Sequence, residues 1–142
     1  MSKGRIDSYL FFNGQAKEAA EYYGKIFGIK PGITMMKDLP GSENHDPDLV
    51  GHADLRFDEN TSIMLSDNPL KEVKIGDNFS MSWGSDNAAD FERVWKAFLD
   101  NGAKVGMPIS STFFAEKFGT LTDPFGVSWM LLYSTPEQMQ GM

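Results

Sequence analysis

The 142-residue chain has no cysteine and only two histidines. The first absence excludes disulfides, thiolate metal sites and a cysteine nucleophile. The second restricts imidazole chemistry to His45 and His52. Long hydrophobic runs are also missing: Tyr9 to Phe12 and Trp129 to Tyr133 fall far short of the roughly 20 residues a membrane span needs. No charged-then-apolar leader opens the sequence, so the expected setting is cytoplasmic, with no membrane partner. Basic residues are scarce, 13 against 20 acidic ones for a net charge of −7, a poor balance for binding nucleic acid. The same balance favours a neutral or cationic ligand over an anion, with Arg56 as the local exception. No nucleophile elbow, P-loop or zinc-type His-Glu-x-x-His is written anywhere in the chain.

What is present is ordinary globular material, 41% hydrophobic and 23% charged. A chain of this length buries about two-thirds of its unfolded surface. "DSYLFF" reads as a strand and "NGQAKEAAEYYGKIFG" as a helix, with Ala16, Ala19, Ala20, Tyr23 and Phe27 at three- and four-residue steps. Asn13 is the expected cap and Gly28 the stop. The pattern recurs in "SDNAADFERVWKAFLDNG": Asp86 or Asn87 caps, Phe91, Val94, Trp95, Phe98 and Leu99 form the stripe, and Gly102 ends it. "GIKPGI" and "GAKVGM" follow the two stops. Each helix is preceded by a strand and followed by three: Thr34–Lys37, His52–Phe57 and Ser62–Ser66, then Lys104–Met107, Phe113–Leu121 and Val127–Tyr133, with Phe79–Trp83 opening the second half. The chain therefore reads as βαβββ written twice, an α+β fold made by internal duplication. The modules span about residues 5–68 and 77–134, with a linker at 69–76. Leu39–Asp48, with Pro40, Gly41 and Pro47, is the clearest loop, and the polar tail after Pro136 is expected to fray.

Alternation sorts each strand into two faces. Phe79, Met81 and Trp83 oppose Ser80, Ser82 and Gly84; Ile63 and Leu65 oppose Ser62, Met64 and Ser66; Val127, Trp129 and Leu131 oppose Ser128, Met130 and Leu132. The bulky sets belong under the helices. A solvated face normally carries Lys, Glu and Thr. Faces of Ser and Met, with Leu10 and Phe12 beside Ser8, suit the wall of a semi-apolar cavity better.

Two βαβββ modules, "EYYGKIFG" closing the first helix and "TDPFGVSWMLL" near the end together resemble the vicinal oxygen chelate superfamily, which includes glyoxalase and bleomycin-resistance proteins. "SYLFFNGQAKEAAEYYGKIFG", "GHADLRF", "SIMLSD", "FSMSW", "GMP" and "DPFGVSW" look like its PhnB-like subgroup. The resemblance covers nearly the whole chain. It implies mixed sheets curled around a cavity, helices on the outer face, and a homodimer. Metal-binding members hold a divalent ion on four strand positions, which fall here on Ser8, Met64, Ser80 and Met130. None offers an imidazole or carboxylate, so no metal and no other cofactor is expected. PhnB-like proteins are also compared with a quinone-precursor methyltransferase, but no glycine-rich turn links a strand to a helix here.

Two further groups bear on chemistry. His52, Asp54 and Arg56 share one strand face, so His52 is a candidate general base, against the plainer reading of a polar rim or dimer contact. Glu116, between Phe114 and Phe118, is a second candidate, against a solvated Glu paired with Lys117. The catalytic residue stays open between His52 and Glu116, and no reaction is assigned. The leading expectation is metal-independent binding of a small amphipathic molecule in a cavity of Ser8, Leu10, Phe12, Met64, Ser66, Ser80, Ser82, Phe114, Glu116, Ser128 and Met130. The alternatives are a lyase- or isomerase-type enzyme of the same fold, and a protein whose cavity is vestigial.

Overall fold

A computed structural model describes residues 4–140. The chain divides into two compact units, one ending at Lys74 and the other beginning at Ile75. In the first, strand β1 (Ser8–Phe12) leads into helix α1 (Ala16–Phe27). Then come β2 (Gly32–Met35), a single 3-10 turn (Met36–Asp38), β3 (Val50–Arg56) and β4 (Ser62–Asp67). The second repeats the plan with β5 (Met81–Ser85), α2 (Ala88–Asp100), β6 (Lys104–Val105), β7 (Lys117–Thr122) and β8 (Ser128–Tyr133). The sheet orders correspond, β1-β4-β3-β2 and β5-β8-β7-β6. In each the opening strand runs parallel to the last and the other pairs are antiparallel. This is the mixed α+β duplication that the sequence predicts.

Each helix buries its stripe on its own sheet. Ala16, Ala19, Ala20, Tyr23 and Ile26 meet a face built from Leu10, Phe12, Ala53, Leu55, Ile63 and Leu65, all buried. In the second unit Phe91, Val94, Trp95 and Phe98 cover Leu121, Trp129 and Leu131, with the Phe98 and Trp129 rings 5.3 Å apart. Gly119 belongs to this contact, because a Cβ there would lie 2.7 Å from Trp95 Cη2. Leu99, placed in the stripe by its spacing, is instead 37% exposed. Phe79 lies ahead of β5 and is also exposed, because the strand starts only at Met81.

Two buried carboxylates organise the units. Asp67, at the end of β4, accepts from Gly14 N (2.8 Å), Ala16 N (3.0 Å) and Val50 N (2.9 Å). It ties the strand-to-helix turn to the start of β3 and takes the capping role expected of Asn13. In the second unit Asp123 accepts from Phe125 N, Val127 N and the Trp129 indole at 2.9–3.0 Å. That closes the "DPFG" turn and locks the indole into the core. Asn87 caps α2 by accepting from Asp90 N at 3.0 Å. Gly28 takes the left-handed conformation (φ 71°) that ends α1. The tail does not simply fray: Pro136–Gln140 form a short helix, α3. Thr135 and Gln138 cap it reciprocally, each backbone N–H donating to the other's side-chain oxygen at 2.9 and 3.2 Å.

Candidate functional site

In each unit one sheet face is taken by the helix and the other is open. On the first sheet, β1 settles the question of faces. Ser8, Leu10 and Phe12 pair with Ile63, Leu65 and Asp67, whereas Tyr9 and Phe11 pair with Met64 and Ser66. Leu10 and Phe12 are therefore core residues under α1, not cavity residues, and Ser8 shares their face. Tyr9 and Phe11 are 38% and 52% exposed and occupy the open side. Every position of "YLFF" is apolar or aromatic, so the strand alone does not declare its inner face. The pairing with β4 does.

The open face then reads across three strands. Tyr9 lies opposite Met64, Met64 opposite Asp54, and Asp54 opposite Gly32. His52 and Arg56 flank Asp54 on the same side of β3. The Tyr9 hydroxyl is 3.3 Å from His52 Nδ1. The Tyr9 ring centroid is 5.9 Å from that of His52 and 4.9 Å from that of Phe11, so three rings form one row. The Asp54 carboxylate leans over Gly32, where a Cβ would meet its Oδ1 at 2.6 Å. Ser66 shares the face of Met64 but is 5% exposed, so it backs the site without opening onto it.

On the second sheet Ser82, Met130 and Thr120 form a row by pairing, as do Gly84, Leu132 and Phe118, and Ser128 pairs with Thr122. Ser82, Ser128 and Met130 are thus on the open face. Ser80 precedes β5, is exposed, and turns its hydroxyl to the Met81 carbonyl (3.1 Å). Phe114 packs edge-on against Phe118 at 5.4 Å, and the fully buried Ser134 holds the Phe114 carbonyl at 3.0 Å. Glu116 is exposed and ahead of β7, and Lys117 pairs with Glu92 rather than with Glu116. Of the two acid/base candidates, among the described residues only His52 has a polar partner that could relay a proton.

Strand pairing also sorts the four transferred positions by face. Tyr9 stands to Met64 as Ser82 stands to Met130, so these are the corresponding open-face positions of the two sheets, whereas Ser8 shares the face under α1 and Ser80 precedes β5. Neither the phenol and thioether of the first sheet nor the hydroxyl and thioether of the second fit a divalent ion that wants imidazole nitrogen or charged oxygen. Among the described residues no three His, Cys, Asp or Glu side chains gather as a possible metal site.

The fold is of the glyoxalase and bleomycin-resistance type. A glyoxylase/bleomycin resistance protein/dioxygenase domain from Frankia matches with a TM-score of 0.68 at 13% identity, over 94% of this chain and 99% of that one. Within that type the chain belongs to the PhnB-like family of the vicinal oxygen chelate superfamily. The family model, described as 3-demethylubiquinone-9 3-methyltransferase, matches residues 4–132. Protein PA1353 from Pseudomonas aeruginosa is 34% identical, with a TM-score of 0.81 over 94% of this chain and 99% of that one. Protein YjdN from Escherichia coli (strain K12) is 26% identical over 89% of this chain and 92% of its own length.

The methyltransferase description implies a nucleoside-sized methyl donor, and the strand-to-helix turns do not fit one. Such a group asks for a glycine-rich turn with free N–H donors at a helix start. Here the Gly14 and Ala16 donors are taken by Asp67, and the Asp90 donor by Asn87. No helix among the described residues is long and apolar enough to cross a membrane.

Proposed function

We propose that this chain is a binding protein that holds a small amphipathic molecule on its open sheet faces without a divalent metal. The observation that carries the reading is the chemistry of the corresponding open-face positions of the two sheets, Tyr9 with Met64 and Ser82 with Met130, none of which is an imidazole or a carboxylate. Beside Tyr9 and Met64 on the first sheet stand Phe11, His52 and Asp54, and beside Ser82 and Met130 on the second stand Thr120 and Ser128; among the described residues no third imidazole or carboxylate joins His52 and Asp54. Met64 and Met130 are unbranched and adapt to varied ligand shapes. The working unit is a homodimer, supported by large apolar side chains left bare, with Ile6 98% and Phe113 95% exposed. A thermal-shift screen of small amphipathic compounds, with and without chelator, tests the reading. Stabilisation by a compound that survives chelator is the expected result, and stabilisation that disappears with it would contradict it.

A second reading is favoured by one contact. Tyr9 and His52 form a hydroxyl–imidazole pair on the open face, the arrangement a general acid/base needs. Under it the chain is a lyase- or isomerase-type enzyme, and His52→Ala abolishes turnover while Glu116→Ala does not.

A further inference from the structure

Beyond β4 the segment Asn68–Lys74 runs past the open end of β1. It is fixed at both ends. Asn68 N donates to the Phe12 carbonyl at 2.9 Å. At the far end Asn13 grips Val73 twice, accepting from its N–H at 2.6 Å and donating to its carbonyl at 2.9 Å. This explains why Asn13, the apparent helix cap, does not cap α1. Between this strap and β1 lies an open hollow of about 770 Å³, lined by Phe11, Asn68, Lys71, Glu72, Val73 and Lys74.

The lining combines two features. Phe11 is 52% exposed and continues through Tyr9 and His52 as a row of rings, a platform for a flat apolar group. Lys71 and Lys74 are exposed. No hydrogen bond or ion pair engages either among the described residues, so both ammonium groups are available. Glu72 offsets one of them, leaving the hollow locally positive in a chain of net charge −7. Contact partners outweigh distant acids, which are screened over about 10 Å at 0.1 M salt.

We infer that the hollow takes an aromatic carboxylate, with the ring on Phe11 and Tyr9 and the carboxylate against Lys71 and Lys74. This rests on the small-molecule reading above and deepens it, reversing the ligand charge that the net balance alone suggests. An aliphatic acid would leave Phe11 uncovered, and an aromatic cation would meet two like charges.

The test is titration of the isotope-labelled full chain with 2-naphthoate, 2-naphthamide and 2-naphthylmethylamine, reading backbone amide shifts. The expected result is that 2-naphthoate moves the Phe11, Lys71 and Val73 signals and binds more tightly than the amine. Lys71→Ala combined with Lys74→Ala should weaken 2-naphthoate about tenfold, as two exposed ion pairs would, and leave 2-naphthamide unchanged. Both lysines are exposed and unpartnered among the described residues, so the double variant keeps its fold, which its amide spectrum verifies directly. Equal binding of acid and amine at Phe11, or no loss in the double variant, would overturn the inference. Shifts confined to Met64, Ser82 or Met130 would overturn it while sparing the small-molecule reading, and no shift with any probe would count against both.

Discussion

Replacing Asp67 with alanine removes one carboxylate and strands three donors. Ala16 N and Val50 N are buried and Gly14 N is partly buried, and Asp67 itself is 3% exposed, so water does not readily substitute. Each orphaned buried N–H costs about 1–3 kcal/mol. Loss of a negative charge at the start of α1 adds about 0.5 kcal/mol. Allowing for partial relaxation, Asp67→Ala should cost about 3–5 kcal/mol, a large part of a typical domain's stability. Asp67→Asn keeps one oxygen for the helix start but turns an amide toward Val50 N, so about 1–2 kcal/mol is expected. Urea denaturation followed by circular dichroism measures both, with unchanged m-values indicating the same folded surface. A loss below about 1 kcal/mol for Asp67→Ala would refute the view that this carboxylate joins β4, β3 and the α1 turn.

Gly119→Ala should destabilise by about 1–3 kcal/mol through overpacking, since its Cβ would press on Trp95 at 2.7 Å. Gly84→Ala, whose nearest contact is Leu132 Cδ1 at 3.1 Å, should cost less in the same denaturation assay. Asn13→Ala should release the strap and speed tryptic cleavage at Lys71 and Lys74 while costing only about 1 kcal/mol of global stability. Light scattering should give about twice the 15.8 kDa chain mass; a monomer across micromolar concentrations would remove the dimer from the proposal.

The duplication was legible because its signals are local. Helical stripes, Gly28 and the "TDPFG" turn each carry their own physical reason, and Asp123 shows why that turn has its acid. The faces of β4, β5 and β8 were legible because small and large residues alternate there. The face of β1 was not, because Tyr9, Leu10, Phe11 and Phe12 are all bulky and only pairing with β4 sorts them. Boundaries failed where a strand depends on distant partners. The pattern of "FFAEKF" predicts a strand from Phe113, but regular pairing starts at Lys117, after a turn in which Thr112 and Ala115 bond each other. The strap left no pattern at all, since the bonds that hold it join Asn13 to Val73 across 60 residues. Asp67 as a cap was hidden for the same reason.

Elemental analysis of purified protein before and after chelation, paired with melting curves in Ni, Zn, Mn and Mg, bears most directly on metal-free binding. The open faces of the two sheets, where among the described residues no three imidazole or carboxylate side chains gather, predict substoichiometric metal and superimposable melting curves. One tightly held ion per subunit, stabilising by the roughly 3–4 kcal/mol of a strongly saturated site, would contradict it.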